Sequence, residues 1–97
     1  MNNITWMETQ LRGKYAFKVV LRDEREAIKV DADVYRYLQD CGSRAVRSLE
    51  MARLQERRDV RDRFGMVYAH RIASEAYEVS VTFTVDAEAV AFKLKFC

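Results

Sequence analysis

RSLEMARLQERRDVRDRF, Arg47 to Phe64, packs six arginines and four acids into one run that reads helical, and the expected fold is built on that reading. Continued upstream and downstream, the apolar residues Val34, Leu38, Cys41, Ala45, Leu49, Ala52, Val60, Phe64 and Val67 recur by threes and fours. At about 100° per residue they share one helical face, with Glu56 the only polar interruption. The spacing predicts helix, starting near Ala32 behind an Asp31 cap whose side-chain oxygen would accept from an otherwise unpaired amide. A continuous helix of that length is uncommon in a small domain. Gly42-Ser43 supplies a left-handed end and a new cap, and Gly65 a second break. Residues 32–76 are therefore expected as two or three helices, with 66–72 compatible with helix or strand.

On either side the period changes to two. KYAFKVVL, Lys14 to Leu21, alternates Tyr15, Phe17, Val19 and Leu21 against Ala16, Lys18, Val20 and is a strand. RDERE then predicts a turn and AIKVD a short second strand pairing back on the first. ITWMETQL, joined to Lys14 through Arg12-Gly13, fits a leading strand or a helical turn. Towards the C-terminus YEVSVTFTV and AVAFKLKF both alternate, and Asp86-Ala87-Glu88 between them is short enough for a hairpin. These amphipathic strands need a cover. The expected fold is α+β, one domain over residues 1–97, with an antiparallel sheet made of the N-terminal strand pair and the C-terminal hairpin under a central helical segment.

Composition narrows the chemistry. With 49% hydrophobic and 33% charged residues in 97, the chain can bury a single core and should be ordered almost throughout. A formal charge of +2 does not select a partner class. The N-terminus lacks a basic region followed by an apolar run, and no segment reaches membrane-spanning length. Cys41 and Cys97 are the only cysteines and form no C-x-x-C pair, which points to a reducing, cytoplasmic setting. No metal or cofactor is expected, because Cys41, His70 and Cys97 lack the close pairing of zinc ligands and three scattered glycines build no phosphate loop. His70, the only histidine, has no nucleophile in a recognisable context. An enzyme is not expected.

What remains is a surface. Arg53, Arg57 and Arg61, spaced by four, would line one side of a helix, with Arg47 and Arg58 nearby. A guanidinium forks onto phosphates and carboxylates, so such a line can serve recognition. It can equally be a solvated face held by the i,i+4 pairs Arg58–Asp62 and Asp59–Arg63. Tyr35 and Arg36 belong to the outer side of the preceding helix, and Tyr with Arg commonly anchors interfaces. The expected function is non-enzymatic binding of a macromolecule, a protein by preference, in the manner of a small regulator or inhibitor. The partner-binding residues are expected to be Tyr35, Arg36, Arg47, Arg53, Arg57, Arg58 and Arg61. The alternative is nucleic-acid binding through Arg44 to Arg63. A homodimer through a long helix, an arginine of one copy meeting Glu56 of the other, is a further expectation.

Overall fold

A computed structural model describes residues 4–97, the side chains of Glu56 and Ile72 excepted. The chain runs β1 (Met7–Leu11), β2 (Lys14–Leu21), α1 (Glu24–Cys41), β3 (Val46–Arg61), β4 (Val67–Phe83) and α2 (Asp86–Phe96). The four strands form one antiparallel sheet in the order β1-β2-β4-β3. Both helices cover the same face, so the α+β class with helix laid over an antiparallel sheet holds. The assignment of several elements does not.

At the N-terminus the strand pair is β1 with β2. Leu11 sits opposite Lys14 across a two-residue turn in which Arg12 and Gly13 have φ of 51° and 76°. Two positive φ values give the tight hairpin turn that suits strand twist. The expected partner strand Ala27–Asp31 is instead the second turn of α1. That helix starts at Glu24, eight residues before the predicted start, because Asp23 caps it: its carboxylate accepts from the Arg25 amide at 2.9 Å. Ala27, Val30, Val34 and Leu38 are its buried stripe, and Gly42, at φ 68°, ends it in the left-handed conformation.

Residues 46–61 are not helix but a sixteen-residue strand, and 67–83 the seventeen-residue strand beside it, paired without interruption from Val46↔Thr82 to Arg61↔Val67. The helical stripe survives only at Val34 and Leu38; Leu49 is 37% and Phe64 77% exposed. The side chain of Glu56, its expected interruption, lies outside the described residues. AVAFKLKF is likewise helix rather than strand. Ala89 and Phe92 are buried on α2, Asp86 and Glu88 sit in its first turn and Lys93 and Lys95 in its last, matching the helix dipole.

The core lies between sheet and helices. Phe17, Val19, Val79, Val81 and Phe83 from the sheet meet Val34 of α1 and Phe92 of α2, all at most 3% exposed. Trp6 meets Phe92 edge-on with centroids 5.3 Å apart, and Lys93 reaches across to Glu8 on β1 at 2.9 Å, which raises the lysine pKa above its ordinary 10.5. This body ends at the pair Leu21↔Tyr77, where β2 stops. Beyond it β3 and β4 continue alone as a two-stranded arm, residues 52–61 against 67–76. At about 3.3 Å per residue the arm projects about 33 Å.

Candidate functional site: the β3–β4 arm

Strand geometry redistributes the arginines. In a helix, residues four apart are neighbours; in a strand they share a face but stand about 13 Å apart. The pairs Arg58–Asp62 and Asp59–Arg63 therefore cannot close, and the explanation of these charges as a self-steadied helix surface falls away. Register places Arg53, Arg57, Arg61 and Arg71 on the face that the helices cover further down, with Arg57 directly opposite Arg71 and Arg53 opposite Glu75. Arg58 is on the other face, opposite His70. Among the described residues, none of these five arginines makes an ion pair.

The tip is built rather than slack. Asp62 accepts the amides of Phe64 and Met66 on Oδ1, both at 2.9 Å, while its own amide donates to the Met66 carbonyl at 2.9 Å. Gly65, at φ 80°, completes the reversal where a side chain would be strained. Asp62, read above as a partner for Arg58, is thus consumed by the loop. Phe64 and Met66 are held outward, 77% and 67% exposed, with the Arg63 guanidinium 5.1 Å from the Phe64 ring.

The seven predicted contact residues fall into three places. Arg53, Arg57, Arg58 and Arg61 are on the arm and exposed. Arg47 and Tyr35 meet at the base of the arm: the Arg47 guanidinium binds the Asp31 carboxylate and stacks on the Tyr35 ring at 4.7 Å, while the Tyr35 hydroxyl accepts from Gln39 at 2.6 Å. Those two residues fasten α1 to β3. Arg36 lies elsewhere, between Asp33 and Asp40 beside Lys95 and Phe96, and does not join the arm. Arg71, Phe64, Met66 and Tyr68 are also exposed on the arm and are not among the seven expected contact residues. One signal could have found them. All five lysines of the chain lie outside residues 52–76, whereas six of its twelve arginines lie inside.

Other chemistry has no comparable setting. Among the described residues no three His, Cys, Asp or Glu side chains are grouped to hold a metal, and no helix is long and apolar enough to cross a membrane. His70 is exposed on the arm, and Cys41 and Cys97 are unpaired. Compared with family models, curated proteins and solved structures, the chain finds no match.

Proposed function

We propose that this is a non-enzymatic binding protein, of the regulator or inhibitor type, whose arm docks on another protein. The observation that carries this is the arm's surface: arginine, methionine and aromatic side chains without lysine, on a ribbon where, among the described residues, Arg53, Arg57, Arg58, Arg61 and Arg71 make no ion pair. Protein interfaces enrich Arg, Met and aromatics and deplete Lys. A pre-shaped tip lowers the ordering cost of binding, which favours Phe64 and Met66 as anchors and the arginines as the rim around them. The unpaired cysteines are in keeping with a cytoplasmic setting.

A second interpretation has its own support. Arg53, Arg57, Arg61 and Arg71 share one face, and a two-stranded ribbon fits the major groove of DNA. Asp59 and Glu75 on that same face weigh against it, since both would oppose phosphates.

One experiment separates them. Tagged chain is used to capture proteins from host lysate, in parallel with Phe64→Ser and with the double variant Arg53→Glu, Arg57→Glu, and each is titrated with duplex DNA at rising salt. A captured protein lost with either variant, and no DNA binding at low salt, is the expected outcome. DNA affinity that falls steeply with salt and vanishes in the arginine variant establishes the nucleic-acid alternative instead.

A further inference from the structure

The outer edge of β3 is the longer of the sheet's two edges. It closes one side of the sheet, runs for sixteen residues, and keeps its register without a bulge. It contains no proline and no lysine, and its eight charged residues, five arginines and three acids, are of both signs, so they can pair across a seam as well as repel. Natural edges are usually short, bulged, covered or guarded by such residues, because a row of unsatisfied amides and carbonyls is a template for another strand. Resting on the interpretation of the arm as a protein-binding element, the geometry points to its partner: a second copy of this chain, added antiparallel, β3 against β3, about a two-fold axis through Leu54.

Charge selects that register. With the axis on Leu54, Glu50 of each copy lies opposite Arg58 of the other, so two opposite-charge pairs form across the seam on one face. Moving the axis to Arg53 sets that arginine against itself, and moving it to Gln55 sets Arg53 against Arg57; like charges directly opposite are unfavourable. Among the described residues of one chain, neither member of the pair makes an ion pair. Glu50 faces Glu78, whose carboxylate is taken by Lys18 at 3.3 Å, and Arg58 faces His70. The like-charged contact this register does create, Arg47 with Arg61, involves a guanidinium already neutralised by Asp31.

The same alignment explains a hollow. It carries Phe64 of the second copy to the level of Arg44 and Ala45, just before β3 begins. There the surface opens into a depression of about 290 Å³ lined by Tyr35, Leu38, Ala45 and Arg47 among others. Each arm tip would seat its exposed aromatic ring at the base of the other arm. An isologous contact of this kind closes at two copies and leaves β3 no longer an edge.

Sedimentation equilibrium on the full chain tests this with Glu50→Arg, Arg58→Glu and the two combined, all at exposed positions that leave the core alone. A wild-type dimer is expected. Either single swap turns two attractions into two repulsions and should weaken dimerisation about tenfold or more, and the double swap should restore it. In a background with both cysteines replaced by serine, Leu54→Cys should give a disulfide-linked dimer on mild oxidation, since opposed antiparallel residues bring their Cα atoms to about 4.5–5.5 Å, within a disulfide's span. A chain that stays monomeric at several hundred micromolar overturns the proposal, as does a dimer indifferent to the swaps. If in that event Phe64→Ser still loses a captured protein, the arm binds a different partner. If it loses nothing, the protein-binding interpretation falls as well.

Discussion

Arg47 leaves β3 on the helical side and ends on Asp31, one carboxylate oxygen of which is bound while the other, Oδ1, is buried without a partner among the described residues. The two side chains are 30% and 16% exposed, so the pair is screened less than a surface bridge and carries a real desolvation cost. With the guanidinium also stacked on Tyr35, it ties α1 to the root of the arm. Arg47→Met leaves the Asp31 carboxylate with neither oxygen bonded among the described residues, and should cost about 1–3 kcal/mol in urea unfolding at neutral pH. Adding Asp31→Asn to that variant should recover part of the loss, because the stranded charge goes with it. Equal losses in the single and double variants would mean that stacking on Tyr35, not the ion pair, does the fastening. Arg53 and Arg57 have no such duty, and their replacement should leave stability within about 0.5 kcal/mol of wild type.

An element can be strand against the preference of its own residues. Glu50-Met51-Ala52-Arg53-Leu54-Gln55-Glu56-Arg57-Arg58 is made almost wholly of strong helix formers, and its apolar members change parity between Met51 and Ala52. Period two is legible only where one face is buried. In KYAFKVVL, where Phe17, Val19 and Leu21 all enter the core, alternation identified the strand correctly; in the arm neither face has a cover, so nothing in the pattern had to alternate. Pairing with β4 overrides propensity there. AVAFKLKF failed in the opposite sense: Phe92 and Phe96 belong to a helical stripe with Ala89, while Val90 and Leu94, which completed the apparent alternation, are 51% and 84% exposed. The α+β class was legible because enough amphipathic strand and helix could be counted whichever segment supplied each. Of the candidate surface, exposure was legible but shape was not: Arg53, Arg57, Arg58 and Arg61 are exposed, yet on a ribbon, while Tyr35 and Arg47 tie α1 to β3. Because the arm lies outside the helix–sheet core, replacing residues 53–75 with Asn-Gly between Ala52 and Ala76 should leave a folded body. Circular dichroism should show both helices retained, and thermal unfolding should stay cooperative and within a few degrees of the full chain. Loss of the folded signal would make the arm part of the folding unit and not an appendage to it.

At the scale of the molecule, the arm dominates the shape. The chain measures 61 × 30 × 22 Å with a Cα radius of gyration of 17.5 Å, whereas a compact domain of this length would have about 12–13 Å. The excess is the work of roughly a quarter of the residues, and it has a thermodynamic counterpart. An isolated two-stranded ribbon is marginal in water, so an arm that bears no buried face of its own must draw its order from the body at one end and the Asp62 loop at the other. Small-angle scattering discriminates the extended ribbon from one that folds back on the body. Extrapolated to infinite dilution, where the monomer prevails, full-length protein should give a radius of gyration near 17.5 Å and a maximum dimension close to 61 Å. The version with 53–75 excised should fall to about 11 Å, in line with a compact chain of its length. An intermediate value for the full chain at all dilutions would mean an arm that bends or frays in solution, and a surface that a partner must order before it can bind.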